Sequence, residues 1–355
     1  MKKISLIFIL FLIIAQFIAA QNDKKDTIKD SRFDSIIKMI DKGEYVYART
    51  ALNKALNNGA DLFKYSFELA RCNYKLTDYK DVVKVLEPLI LEVSATSDFY
   101  QLLGNAYYEM GKIGKAVSTY NDGLKRFPNA GCLYLELGNI AYKQKNYKDA
   151  LFYYEKGIDV QPDYPSNYYC ATQIYLSSTE EVWAVMFGEI FMNLEKGTER
   201  SKDVSKQIFD VFCTEIILNR DEIAVDFYNP TILYSDSYER HNLFPDYYKQ
   251  AMLKACNGER YLDLSSLIRI RKRFIAELYR TTKDFHNVVF DYHKTLIAKG
   301  YFDAYNYWLF SSASSAESAK WIKDNSKLYN EFLKWFEQNP LKITKENLFT
   351  RYNME

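Results

Sequence analysis

The sequence has few of the residues that interrupt helices, since its 355 residues include only 7 prolines and 13 glycines. This scarcity disfavours a turn-rich β protein and favours a stack of helices. Neither sign of charge is in excess, because 47 lysines and arginines stand against 46 aspartates and glutamates. The composition therefore gives no reason to expect nucleic acid as a partner.

Cysteine is also scarce, and the five cysteines are widely spaced, with no CxxC pair among them. This spacing predicts neither a disulfide framework nor a metal site, so we expect small buried thiols on helix faces. The five residues are Cys72, Cys132, Cys170, Cys213 and Cys256.

Motifs of the common enzyme classes are absent as well. The sequence contains no GxSxG, no HExxH, no GxGxxG and no phosphate-binding glycine-rich loop. Two of the 3 histidines, His286 and His293, share a helix face. Seven residues of helix separate them by about 10.5 Å, which is too far to bind one ion. We therefore predict no catalytic residue, no metal site and no cofactor.

The N-terminus has the pattern of a targeting segment. Two lysines precede an apolar run over residues 4–14, and Ala20 is a small residue at the predicted cleavage site. We predict a signal peptide over residues 1–20, a linker over 21–28, and export to the periplasm or surface of a Gram-negative-type bacterium. An uncleaved membrane anchor is the alternative. After cleavage, no other segment is long and apolar enough to span a membrane.

The next part of the chain repeats itself with a period of 34 residues, without insertions or deletions, from residue 29 to residue 198. The five rows are 29–62, 63–96, 97–130, 131–164 and 165–198. Equivalent residues of the third and fourth rows include Tyr100 and Tyr134, Gly104 and Gly138, Ala116 and Ala150, Tyr120 and Tyr154, and Pro128 and Pro162.

This pattern resembles the tetratricopeptide repeat (TPR), a 34-residue helix–turn–helix unit with small and aromatic residues at fixed positions. The resemblance implies an all-α fold: a right-handed α-solenoid of helical hairpins. Residues 199–355 lose the period but stay helical in pattern, so we predict a divergent all-helical C-terminal region there. The loop near 228–242 is its predicted boundary or insertion.

The resemblance also implies a binding surface, because first helices of such repeats face the concave side. Two positions of the repeat supply a polar and an aromatic series. The predicted groove residues are Arg71, Asn105, Asn139 and Gln173 at position 9, and Tyr74, Tyr108 and Tyr142 at position 12. These side chains suit an extended peptide or a partner helix. Alternatively, they only pack against the next repeat.

Two features of the C-terminal region have open interpretations. A basic run, Arg269, Arg271, Lys272 and Arg273, predicts a solvated helix face or, alternatively, a patch for an acidic partner or anionic lipid. The aromatic residues Trp308, Trp321, Trp335 and Phe336 suit a hydrophobic core or a carbohydrate platform.

Together these features predict a non-catalytic protein-binding scaffold or adaptor whose partner is a protein or peptide. The alternatives are a glycan-binding or glycan-handling accessory protein, and an enzyme with its site in the helical C-terminal half.

Overall fold

The structure is a computed structural model, and it describes residues 31–219, 222–229, 244–281, 287–348 and 350–351. These residues form 17 helices and one pair of short strands. The predicted all-α fold of helical hairpins is therefore confirmed. The chain divides into two compact units, residues 1–116 and residues 117–355, and each is described by itself.

The first unit contains two complete hairpins and the first helix of a third. Its helices are α1 Ser31–Asp41, α2 Tyr45–Asn57, α3 Leu62–Lys75, α4 Tyr79–Leu86 and α5 Ser97–Glu109. Around α1–α3 its core is a cluster of aliphatic and small side chains with one buried tyrosine, Tyr65, and α5 adds the buried Phe99, Tyr100 and Tyr107.

The division falls within the next helix, α6 Ile113–Arg126. The second unit continues with α7 Gly131–Lys143, α8 Tyr147–Val160, α9 Pro165–Tyr175, α10 Glu181–Leu194 and α11 Glu199–Glu215. After the strands come α12 Phe244–Ala255, α13 Leu264–Thr281, α14 Val288–Lys299, α15 Phe302–Leu309, α16 Ser315–Asp324 and α17 Ser326–Gln338.

The turn inside each of the first four hairpins has a left-handed residue at the same repeat position. Position 15 has a positive φ in four consecutive rows: Gly43 at 77°, Thr77 at 62°, Gly111 at 74° and Lys145 at 62°. A single left-handed residue reverses the chain after the first helix. The fifth row has Thr179 at this position, and there φ is not positive. The left-handed turn thus follows the period through four rows and stops in the fifth.

Small residues stand where helices cross, as the repeat pattern predicts. A Cβ built on Gly138 of α7 would lie 2.4 Å from Cε1 of Tyr154 on α8. A Cβ on Gly157 would lie 2.3 Å from Nδ2 of Asn167 on α9. Since real contacts of this kind are longer, only glycine permits these two close approaches.

The strand pair is an element that the helical pattern did not predict. β1 Ile216–Leu218 pairs antiparallel with β2 Ile223–Val225, and Ile216 is opposite Val225. Both of these side chains are buried in the core of the second unit. β-branched residues in a short run fit a strand as well as a helix, so their periodicity did not distinguish the two.

Several predictions concern residues outside the described part of the chain. The signal peptide, the linker, His286 and residues 230–242 of the predicted loop belong to this group. Across the described residues, we find no helix with the length and apolar character needed to cross a membrane.

Candidate partner-binding surface

The seven predicted groove residues all lie on the first helices of their hairpins, α3, α5, α7 and α9. Four of them belong to the first unit and three to the second. Whether they bind a partner depends on how much of each side chain is already used inside the protein.

In the first unit, Arg71 forms a local ion pair and keeps exposed surface. Its Nη1 donates to Glu68 Oε1 and Oε2, both at 2.9 Å, and 47% of its side chain is exposed. Such an i,i+3 pair costs little to rearrange. Arg71 therefore has a guanidinium face accessible to a carboxylate or carbonyl of a ligand.

The two predicted groove tyrosines of the first unit, Tyr74 and Tyr108, are half-buried. Tyr74 contacts the ring of Tyr79 edge-on, with centroids 5.3 Å apart. Tyr108 and Asn105 are also half-buried on α5. The second helix of a hairpin thus supports the ring of Tyr74, and part of that ring remains available for contact.

In the second unit, the amide of Asn139 is held within the repeat. Its Nδ2 donates to Glu136 Oε2 at 3.0 Å, and its Oδ1 accepts from the hydroxyl of Tyr154 at 3.0 Å. Burial raises the pKa of the Tyr154 phenol, so this hydroxyl stays protonated and remains a donor. Asn139 therefore fixes the ring that packs against Gly138.

Gln173 is likewise paired. It exchanges two hydrogen bonds with Gln207 of α11, from Gln173 Nε2 at 2.9 Å and from Gln207 Nε2 at 3.1 Å. Tyr142, in contrast, is 42% exposed and contacts Tyr147 edge-on, with centroids 5.4 Å apart. In this unit the amides of the polar series connect helices, and the tyrosine is the accessible member.

The second unit also contains a buried polar network that the sequence reasoning missed. Glu189 of α10 lies between three partners: Arg271 Nη2 is 2.5 Å from its Oε2, while His293 Nε2 at 2.6 Å and the Tyr305 hydroxyl at 2.8 Å contact its Oε1. Arg271 also donates to Asn306. These contacts join α10, α13, α14 and α15.

The carboxylate of Glu189, at the centre of this network, stays ionised because of its neighbours. Burial opposes ionisation of Glu189, but Arg271 and His293 outweigh it and lower the pKa to about 2. Burial and the charge of Arg271 lower the pKa of His293, although Glu189 acts in the opposite direction. A neutral imidazole and an Arg–Glu pair are the result at neutral pH.

The network encloses too little space for a substrate. The cavity beside it has a volume of about 10 Å³, close to the minimum that a single water molecule requires. Its walls include Met186, Phe212 and Phe290. The acid–base residues at Glu189 are therefore arranged to hold helices together.

The basic run separates into two groups. Arg271 turns inward to Glu189, whereas Arg269, Lys272 and Arg273 line a surface groove between α13 and α14. The expectation of a solvated helix face is thus wrong for Arg271. A signal for this was present, since Arg271 has the same helical phase as the buried Leu267 and Phe274.

The C-terminal aromatic residues pack on one another. Trp321 stacks on Tyr307 with centroids 4.3 Å apart, and Trp308 meets Phe336 edge-on at 4.7 Å. Trp335 stacks on Tyr292 at 6.0 Å. These rings extend the core of the second unit.

The cysteines follow the expectation in part. Cys72, Cys132 and Cys256 are buried, Cys170 is half-buried, and Cys213 is exposed; none forms a disulfide. Burial raises the pKa of the Cys72 thiol to about 11, so this group is protonated and unreactive at neutral pH. Within the described residues, no His, Cys, Asp and Glu side chains gather in a group able to hold a metal ion.

Hairpins that recur every 34 residues, a shared left-handed position and glycines at helix crossings define a helical-hairpin repeat protein. The family model described as Tetratricopeptide repeat matches residues 102–166. The protein therefore contains tetratricopeptide repeats, and this segment belongs to that family. No curated protein matches the sequence.

Three solved structures are similar at low identity. A thermophilic TPR protein of Thermus thermophilus, TTC0263, is 18% identical, with 50% of this chain and 98% of that chain covered and a TM-score of 0.43. The structure of pilF from Pseudomonas aeruginosa is 18% identical, with 53% of this chain and 86% of that chain covered and a TM-score of 0.42. The C-terminal part of a TPR repeat-containing protein from Cytophaga hutchinsonii is 17% identical, with 81% of this chain and 98% of that chain covered and a TM-score of 0.38. The family assignment depends on the repeat match and not on these likenesses.

Proposed function

We propose that the protein is a non-catalytic scaffold that binds a protein or peptide partner through the first helices of its repeats. The observation that carries the proposal is that position 12 keeps a partly accessible tyrosine in three consecutive repeats, at Tyr74, Tyr108 and Tyr142. A tyrosine offers rigid apolar area with a polar tip, at a low cost in side-chain entropy.

The two series of groove residues have different roles in this proposal. Asn139 and Gln173 use their amides to position helices, through Tyr154 and Gln207 respectively. The tyrosines of position 12 supply most of the contact area, and the exposed guanidinium of Arg71 adds a charged contact. A partner with apolar side chains and a carboxylate would complement this surface.

Export is part of the proposal and is supported by the N-terminal sequence. Lysines, an apolar run and Ala20 have the order of a cleaved signal. Fractionation of the native organism and N-terminal sequencing of the mature protein test this. We expect the periplasmic or surface fraction and Gln21 as first residue; a chain that begins at Met1 in the membrane fraction would contradict cleavage.

Partner binding is tested by affinity capture from the native envelope, with wild-type protein and two variants compared by quantitative mass spectrometry. The test variant replaces Tyr74, Tyr108 and Tyr142 with alanine. The matched control removes three exposed rings elsewhere: Tyr47, Phe152 and Tyr261. We expect one set of proteins to be lost from the test variant and kept by the control, with helicity unchanged in both. Equal capture by all three would contradict the proposal.

A further inference from the structure

A second accessible groove lies between α13 and α14 of the second unit, and Arg271 does not line it. It has a volume of about 630 Å³, which is within the range of ligand-binding clefts. Its lining residues are Arg269, Lys272, Arg273, Ile275, Ala276, Tyr279, Lys294, Ile297 and Ala298. It shares no residue with the tyrosines of position 12.

The floor of this groove is apolar and recessed. On α13, Ile275, Ala276 and Tyr279 follow Lys272 at spacings of three, four and seven residues, so all four share a helix face. On α14, Ile297 and Ala298 follow Lys294 at spacings of three and four residues, so these three residues also share a helix face. The alanines are exposed, and their short side chains let another backbone approach closely.

The rim of the groove is positively charged. Arg269 and Arg273 share the single carboxylate of Glu259, at 2.7 Å to its Oε2 and 2.8 Å to its Oε1. Lys272 and Lys294 form no ion pair with any residue that the structure describes. Lys294 Nζ lies 4.0 Å from the ring centroid of Tyr279. The lining has four cations, and the adjacent carboxylates are Glu259 and Asp291, which accepts from the Tyr279 hydroxyl, so positive charge is in surplus.

We infer that this groove binds an acidic amphipathic helix of a partner protein, with apolar residues against Ala276 and Ala298 and carboxylates beside Lys272 and Lys294. From Arg269 to Tyr279, α13 extends about 15 Å, roughly three turns of a ligand helix. A face of two helices that is left open accepts a third in the same way that repeat hairpins stack.

The recessed floor favours a helix over a lipid surface. Peripheral membrane binding requires large apolar side chains that protrude beyond the basic residues. In this groove the apolar groups are two alanines, a buried Ile275, a half-buried Ile297 and a half-buried Tyr279, whose ring lies beneath the ammonium of Lys294 and does not protrude beyond it. A protruding leucine stripe on a partner would fill the space that these side chains leave.

The probe for this test is a fluorescein-labelled designed peptide with leucines at helical spacing and glutamates on the other faces. A scrambled peptide of the same composition lacks the apolar stripe. Fluorescence anisotropy with the purified full chain measures both affinities. We expect the patterned peptide to bind more tightly than the scrambled one, and its affinity to fall as salt is raised.

The decisive variant is Lys272→Glu with Lys294→Glu, and its matched control is Lys320→Glu with Lys323→Glu on exposed positions of α16. Both change the net charge equally. We expect the groove variant to weaken patterned-peptide binding by at least about tenfold, and the control by less than about twofold. A steric variant, Ala276→Leu, is expected to weaken binding without altering charge.

Three results would overturn the inference. The first is equal binding of the patterned and scrambled peptides. The second is an equal loss of binding in the Lys272 and Lys320 double variants. The third is binding to vesicles of equal parts phosphatidylglycerol and phosphatidylcholine that is lost in the Lys272 double variant, with no peptide binding, since this would assign the groove to an anionic membrane surface.

Discussion

Gly138 lies directly against the ring of Tyr154, so that a Cβ at Gly138 would be 2.4 Å from Cε1 of that ring. The hydroxyl of the same ring donates to Asn139, which is the neighbour of Gly138 in sequence. One hairpin is thus closed by a glycine that admits the ring and an amide that fixes its tip.

This contact predicts that Gly138→Ala lowers the free energy of unfolding by about 2 kcal/mol, because Tyr154 must move and overpacking in a core costs this much. Urea denaturation followed by circular dichroism measures the change. The control is Gly114→Ala in α6, where no atom lies within 4 Å of an added Cβ. There the better helix propensity of alanine should raise stability by up to about 1 kcal/mol. Equal effects of the two substitutions would contradict the close contact.

The left-handed turn at position 15 gives a second prediction. Lys145 has a φ of 62°, a conformation that costs a residue with a Cβ about 1 kcal/mol. Lys145→Gly should therefore stabilise the protein by roughly that amount, despite its entropic cost. Lys143→Gly, two residues earlier in the last turn of α7, should destabilise it by about 1 kcal/mol. Thermal melting distinguishes the two, and a loss of stability in Lys145→Gly would argue against the turn.

The buried network gives a third prediction. Arg271→Met should lower the free energy of unfolding by about 3–5 kcal/mol, because it leaves the carboxylate of Glu189 buried without its charged partner. Arg269→Met, two residues away on the same helix, removes a partly exposed ion pair with Glu259, which keeps Arg273 as its partner, and should cost about 1 kcal/mol or less. Replacing Glu189 and Arg271 together by methionine should cost less than Arg271→Met alone. A double variant at least as unstable as the single one would argue against an uncompensated charge.

The N-terminus of α10 gives a prediction about pH. Burial raises the pKa of Glu181 to about 7, and the nearby carboxylates of Glu215 and Asp226 add to this effect. The folded state thus favours the protonated form, so Glu181 reduces stability as pH rises from its ordinary value of 4.5 towards 7. Glu181→Gln should raise the melting temperature at pH 8 and leave it nearly unchanged at pH 4. A gain that is equal at both pH values would contradict the raised pKa.

His293 and Glu189 have the opposite effect to Glu181, because they make the folded state less stable as the pH falls. Both groups have lowered pKa values in the folded state, so stability should fall as the solution is acidified below the ordinary histidine value of 6.5. His293→Gln should remove the first part of this decline, between pH 6.5 and 5. Melting curves across this range show whether the decline depends on the imidazole.

The repeats were predictable because their determinants are local. Gly138 and Tyr154 are 16 residues apart, and their types recur one period away at Gly104 and Tyr120. Steric needs at each helix crossing produce the pattern, so the sequence alone indicates hairpins. The exposed area of Tyr142 and the use of Asn139 within its repeat were not predictable, since both depend on which neighbours fill the space.

The network at Glu189 could not be assembled from sequence, because its members are distant along the chain. Arg271 is 82 residues from Glu189, and His293 is 104 residues from it. The sequence does indicate that Glu189 is buried, because it is an acidic residue in the middle of the apolar helix α10. A buried charge needs a partner, but periodicity does not indicate which residue provides it.

The central claim is that the tyrosines of position 12 bind the partner. Once capture has identified that partner, isothermal titration calorimetry with the purified pair tests the claim most directly. Each alanine substitution at Tyr74, Tyr108 and Tyr142 should weaken binding by about 1–2 kcal/mol, whereas substitutions at the exposed Tyr47, Phe152 and Tyr261 should not. Unchanged affinity in a folded triple variant at position 12 would contradict the account.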